Sequence, residues 1–255
     1  MNHLWMPLPR YMLRKNLVLQ VLKKNKNLGS KSCLEIGYGP GDMLIESSNL
    51  GIQTYGYDFS SEALKVARKR IKKCSADIKK KIQLFTNEKE VGRFQYDFIV
   101  ALEVLEHVKE DVELLKKINT LLKRKGLLIF SVPAHKSKWG ENDEWAGHYR
   151  RYEKNELKEK LASTHFKTLH IWSYGYPLIL LLDLIIHRNR RKEVASFDGI
   201  SKEELTKQSG IRRQNNFINR LGSWKIWMVP FFFVQRLFLN YDVSSAFLII
   251  ARKHN

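Results

Sequence analysis

Cys33-Leu34-Glu35-Ile36-Gly37-Tyr38-Gly39-Pro40-Gly41-Asp42 carries an apolar strand through three alternate glycines into the start of a helix. The backbone has to turn tightly here and approach a ligand with no Cβ atoms in the way, which glycine permits. A loop for a nicotinamide dinucleotide spaces its glycines GxGxxG and seats a pyrophosphate on the helix N-terminus. The spacing here is GxGxG, with Glu35 two residues before the first glycine. An acid in that place suits a ligand with a cationic amino acid part better than a diphosphate.

Outward from this loop, Gly56-Tyr57-Asp58-Phe59-Ser60 ends a second strand in an acid, 17 residues beyond Gly41. In a βαβ unit that carboxylate stands beside the first loop and accepts from both hydroxyls of a ribose. A third segment, Phe94-Gln95-Tyr96-Asp97-Phe98-Ile99-Val100-Ala101-Leu102-Glu103-Val104-Leu105-Glu106-His107-Val108, is an acid-led strand followed by a turn and a helix start. Periodicity predicts strands over 32–36, 53–57, 82–85, 96–101 and 126–132, with helices over 42–49, 61–74 and 110–124. A lead-in helix over 11–24 precedes them. A polar loop (134–152), a helix (154–162) and strands over 168–172 and 245–251 follow.

These three segments together resemble the class I S-adenosylmethionine-dependent methyltransferase family, especially its branch with an EVLEHV-type segment, which includes the ubiquinone-pathway O-methyltransferases. The resemblance covers residues 30–173. It implies an α/β fold with a Rossmann-like seven-stranded sheet, helices on both faces, an insertion before the last strand, and a final antiparallel pair. It also implies S-adenosyl-L-methionine as cofactor. On this resemblance Glu35 holds the methionine amino group through the loop, and Gly37, Tyr38, Gly39 and Gly41 pass under the cofactor. Asp58 binds the ribose, Phe59 flanks the adenine, Asn87 contacts it, and Ala101, Leu102 and Glu103 line the methionine end.

Methyl transfer is an in-line displacement on an already activated methyl, so orientation and desolvation do much of the catalysis. A hydroxyl nucleophile gains from a neighbouring base, for which His107, His135 and His148 are the candidates, His107 being best placed. Glu106 reads equally as a metal ligand, an orienting acid or a capping residue; no metal is expected. Ser131-Val132-Pro133-Ala134-His135 and Gly147-His148-Tyr149-Arg150-Arg151-Tyr152 resemble methyltransferases of glycan and lipid-linked biosynthesis. His135, Tyr149, Arg150, Arg151 and Tyr152 are therefore candidate substrate residues. The arginine pair either clamps phosphate or carboxylate or only pins the loop. The chain lacks an Asn or Asp followed by Pro-Pro-aromatic after the fourth strand, which places O-methylation first and C-methylation behind it.

The 255 residues suit one such domain with an insertion, and a formal charge of +19 points to phosphate-bearing partners or to solvated helix faces. Two isolated cysteines and an N-terminus without an export pattern point to the cytoplasm. The division expected is a lead-in helix over 1–29, a core over 30–173 and 241–255, and an apolar and basic cap over 174–240. That insertion's apolar segments, 176–186 and 224–239, flank a basic stretch, 187–219. They read as a cap over the cofactor, with or without peripheral contact to anionic lipid on the inner face of a membrane. The acceptor expected is a small molecule, a lipid-linked compound or a glycan. An RNA methyltransferase and a non-catalytic scaffold are the alternatives.

Overall fold

A computed structural model describes residues 7–182 and 227–254. In chain order the elements are α1 (Pro9–Lys23), β1 (Ser32–Ile36), α2 (Asp42–Asn49), β2 (Gln53–Tyr57), α3 (Ser61–Ile71), α4 (Ala76–Lys80), β3 (Ile82–Phe85), α5 (Glu88–Val91) and β4 (Tyr96–Leu102). They continue with α6 (Asp111–Leu121), β5 (Leu122–Pro133), α7 (Glu141–Ala146), α8 (Lys154–Ser163), β6 (Phe166–Ser173), α9 (Val229–Phe238) and β7 (Ala246–Lys253).

The strands form one sheet in the order β3-β2-β1-β4-β5-β7-β6. All pairs among β1 to β5 are parallel, and β7 runs antiparallel to both β5 and β6. Central strands of such a sheet are buried on both sides, so they read as continuous apolar runs. Alternate residues nonetheless serve different cores. Ile99 and Ala101 of β4 join Leu34, Phe130 and Ile249 on one face, while Phe98 and Val100 join Cys33, Ile129 and Leu248 on the other. Leu17, Val18, Val21 and Leu22 of α1 close that second face.

The strand order reverses between β1 and β4, and ligands of open α/β sheets bind in the crevice at the carboxyl ends beside such a switch point. Register places Glu35 between Gly56 of β2 and Val100 of β4. The glycine loop, Asp58 and the turn after β4 therefore leave the sheet on one rim.

Several boundaries differ from the sequence reading. The helix expected to reach residue 124 ends at Leu121, and Leu122 already pairs with Tyr96, because Lys123 is drawn to Asp97 with Nζ 2.7 Å from Oδ2. The polar loop over 134–152 contains α7. Its start is capped by the Asp143 carboxylate accepting from Gly140 N–H, and it is closed by Gly147 at φ 74°. The final antiparallel pair is not a local hairpin: β7 inserts between β5 and β6 after a separation of more than 70 residues. The basic stretch 187–219 and parts of both apolar segments of the cap lie outside the described residues.

Candidate active site

Gly37, Gly39 and Gly41 have φ of 71°, 49° and 74°, a region where a Cβ is strained. A Cβ on Gly37 would also stand 2.7 Å from Cγ2 of Val104, so the glycine loop rests directly against the turn after β4. Asp58 braces the loop from β2, with Oδ2 accepting from Gly39 N–H at 2.9 Å and Oδ1 from Ser60 N–H at 2.9 Å. Phe59 beside it is 56% exposed, an uncovered aromatic face at the rim. Tyr38 is buried against Gly56.

Glu35 is buried, and its Oε2 has no hydrogen-bond partner among the described residues. Burial, with the negative charges of Asp42 and Asp58, pushes its carboxyl well above the usual range. A carboxyl in that state is stabilised by a cation brought to it.

At the end of β4, Glu103 takes φ 59° and its Oε1 lies 2.6 Å from Nη1 of the buried Arg14 of α1. Ser131 of β5 donates to the same oxygen at 2.7 Å and itself accepts from Arg14 at 3.0 Å, while Tyr174 OH stands 3.4 Å from both. Burial works against ionisation of Glu103, but Arg14 and Ser131 outweigh it and hold the carboxyl below its usual range. Arg14, Ser131 and Tyr174 were not legible as site residues, since the contacts that join them to the site run from 28 positions, between Ser131 and Glu103, to 160, between Arg14 and Tyr174.

The next turn brings Glu106 and His107 to His148 from the loop after α7, with donor atoms of all three within 4.8 Å of one another. Glu106 is fully buried and neither carboxylate oxygen has a hydrogen-bond partner among the described residues. Burial and the Glu103 charge push its carboxyl well above the usual range. The His107 and His148 rings meet edge to face at 4.8 Å, and burial followed by the His148 charge lowers His107 to about 4. Asp143, 1% exposed and unforeseen in the sequence, lies 2.8 Å from His148 Nδ1.

The other expected residues are distributed differently. Of the two readings of the arginine pair, the contacts are those of pinning. Arg150 reaches Asp111 Oδ1 at 3.2 Å and Lys109 O at 2.5 Å, while Arg151 Nε donates to both oxygens of Asp143 at 2.9 Å. Tyr152 is buried with its hydroxyl on Asp111 at 2.8 Å, which makes it a strut rather than a surface that meets a substrate. Tyr149 is 37% exposed, and its N–H donates to Glu106 O at 2.7 Å. His135, at φ 63°, stands 3.2 Å from Asp242 and 3.5 Å from Glu153. Asn87 is exposed and caps α5 by accepting from Lys89 N–H at 3.0 Å. Ala101 and Leu102 are buried at the end of β4.

A family model described as a methyltransferase domain matches residues 8–171, from α1 through β6. The chain belongs to the class I S-adenosylmethionine-dependent methyltransferase family. The ubiquinone biosynthesis O-methyltransferase of Actinobacillus pleuropneumoniae serotype 5b is 30% identical over 115 residues, covering 44% of this chain and 49% of that protein. The protein of the same name from Glaesserella parasuis is 30% identical over 129 residues, covering 48% and 54%. The chain thus spans about half the length of these curated relatives.

Among solved structures, a putative sarcosine dimethylglycine methyltransferase from Galdieria sulphuraria superposes with a TM-score of 0.60 at 13% identity, covering 96% of this chain and 87% of that one. Magnesium protoporphyrin IX methyltransferase of Synechocystis PCC 6803 with bound S-adenosylhomocysteine gives 0.53 at 17% identity, covering 64% and 77%. At such identities the likeness is one of fold.

The cofactor of the family is S-adenosyl-L-methionine, and the residues of this methyltransferase chain fit it. The orphaned Oε2 of Glu35 suits an ammonium, the cleared backbone at Gly37 to Gly41 suits a ligand lying close, and exposed Phe59 beside Asp58 suits an adenosine.

Proposed function

We propose that the protein transfers a methyl group from S-adenosyl-L-methionine to a hydroxyl of a small-molecule, lipid-linked or glycan acceptor. The observation that carries this reading is the acid and imidazole cluster of Glu106, His107 and His148, set on the turn whose Val104 touches the glycine loop. The cofactor, when bound, supplies a methyl activated on a sulfonium. Glu35 binds its ammonium, Asp58 and Phe59 its adenosine, and Gly37, Tyr38, Gly39 and Gly41 leave room beneath it, with Ala101, Leu102 and Glu103 at the methionine end. The histidine cluster gives a hydroxyl acceptor somewhere to leave its proton. The names of the curated relatives support oxygen as the acceptor atom.

Residues 174–240 are the cap of this reading. In its described parts, Leu178, Ile179, Met228, Phe231 and Phe232 pack against Met12 and Leu13 of α1, at the helix that carries Arg14 to Glu103. Leu181, Trp227, Phe233 and Leu237 are exposed, as an apolar surface facing a lipid-linked acceptor or the cytoplasmic leaflet would be. Among the described residues no helix is long and apolar enough to cross a membrane.

The test is calorimetric titration with S-adenosyl-L-methionine and with NAD, followed by transfer of radiolabelled methyl to catechols, polyprenyl-linked phenols, glycans and RNA. Binding of the first cofactor alone, with label on a hydroxyl compound, is the expected result. Label on RNA alone, or NAD binding, would overturn the reading.

A further inference from the structure

α9 lies against α1 beside β6, the strand at one edge of the sheet. Gln235 Nε2 donates to Leu13 O at 3.3 Å, and Leu239 O accepts from Ser173 N–H at 2.8 Å. Between these elements is a cavity of about 440 Å³, within the range of small-ligand sites. Buried Leu17 and Leu239 give it an aliphatic floor, and half-buried Trp172 lines it from β6. Its charged lining is Lys23 and Lys24 at the end of α1 and Arg236 of α9.

No carboxylate lines this cavity, and among the described residues none of the three cations has an ion pair. Like charges around one cavity repel, so an anion brought between them is stabilised. A helix C-terminus favours lysine through its dipole, which accounts for Lys23 and Lys24 but not for Arg236, which comes from another element. Outside the cavity, α9 turns Phe233 and Leu237 to solvent four residues apart on one face. The Arg236 guanidinium stands 5.4 Å from the ring centre of Phe233, so the cationic cavity adjoins an exposed apolar pair. Trp172 is stacked on His170 at 5.0 Å and packs against the core under α1, which leaves its ring unsuited to stacking a nucleobase. The lining fits a phosphate carried on a hydrocarbon stem.

We propose that this cavity seats the headgroup phosphate of an anionic membrane phospholipid between Lys23, Lys24 and Arg236, with Phe233 and Leu237 entering the acyl boundary beside it. The proposal rests on the lipid reading of the cap given above and not on which atom is methylated. Trp172 then sits where headgroup meets hydrocarbon, the level at which an indole is at home.

The test is co-sedimentation of the full chain with vesicles of phosphatidylcholine alone, or of two parts phosphatidylcholine to one of phosphatidylglycerol. Wild type should bind the mixed vesicles and not the neutral ones. Changing Lys23, Lys24 and Arg236 together to Gln should weaken that binding about 100-fold at an unchanged melting temperature. Lys72→Gln, Lys73→Gln and Lys79→Gln together remove the same charge from exposed lysines after α3 and in α4, and should cost less than about fivefold. Phe233→Ser with Leu237→Ser should weaken binding about tenfold or more. Equal losses in the two triple variants would mark the field of the net charge and overturn the proposal, as would equal binding to neutral vesicles. Binding of inorganic phosphate without vesicles, or of polyuridylate in preference to them, would overturn the lipid occupant. Vesicle binding that needs Phe233 and Leu237 but not the three cations would keep the apolar contact of the cap and overturn the cavity. Methyl transfer is no part of the readout, so the acceptor reading can fail while the cavity stands.

Discussion

Glu35 is a buried acid facing two other acids, and burial outweighs the relief from the Leu44 N–H and the Arg14 charge, so a cation brought to its unpartnered Oε2 stabilises the ionised form. Charge-assisted contacts of this kind contribute roughly 1.5–3 kcal/mol, so Glu35→Gln should weaken S-adenosyl-L-methionine binding about 10- to 100-fold by calorimetry. The pH dependence has a definite sign. With the folded carboxyl raised above its unfolded value, the unfolded chain releases this proton first, and the group's contribution to stability falls as pH rises through the unfolded value and beyond. The added melting temperature from S-adenosylhomocysteine should therefore grow with pH over the same range, and a flat response would refute the role of Glu35. Glu35 and Asp58 were legible because an acid at a strand end keeps a fixed place relative to the adjoining loop. Asp143 was not, because its meaning depends on how a 19-residue polar stretch curls back to set His148 over it. The same curl turned Arg150, Arg151 and Tyr152 inward.

At the level of elements, Gly37 is the contact between the glycine loop and the turn after β4. Gly37→Ala adds a left-handed strain of roughly 1–2 kcal/mol and a clash with Val104. The expected outcome is loss of cofactor binding with a lower melting temperature, whereas Gly39→Ala, which carries left-handed strain at φ 49° but meets nothing within 4 Å, should lower the melting temperature less. Asp97 ties the starts of three strands: Lys31 and Lys123 reach it at 3.0 and 2.7 Å, and Ser32 N–H donates to it at 3.0 Å. Burial opposes its charge, but the Lys123 and Lys31 contacts win and lower it to about 2. Asp97→Asn should cost on the order of 1–2 kcal/mol in urea unfolding at pH 7. The difference from wild type should vanish as pH falls from about 4 toward 2, since a depressed carboxyl loses its contribution between its unfolded value and its folded one. Strands β1 to β3 and helix α2 were read to the residue because apolar runs bounded by glycine and polar residues leave little choice of register. The start of β5 was missed because Lys123 to Lys125 look helical until Asp97 is brought beside them.

Across the whole molecule, α1 is stitched to the switch point by ions as well as by its apolar face. Lys15 and Arg70 converge on Asp42 at 2.8 and 2.7 Å, and Arg14 contributes the largest charge that offsets Glu103, at 2.6 Å. Arg14→Met leaves a buried acid uncompensated and should cost roughly 3–5 kcal/mol, with Glu103→Gln in the same chain restoring part of it. Additive losses in that double mutant would deny the coupling. The net charge, by contrast, told little, since the lysines it counts are spread over solvent-facing helices as well as over these clusters.

Because β7 fills the slot between β5 and β6, neither neighbour can finish its ladder until residues 246–253 arrive, more than a hundred positions after β5. A polypeptide still emerging from a ribosome would carry β5 with one open flank and β6 with no partner in the sheet. That makes the sheet a natural place to divide the molecule. A fragment ending before residue 240 should be poorly soluble alone, yet recover S-adenosylhomocysteine binding when a synthetic peptide spanning 241–255 is supplied in trans.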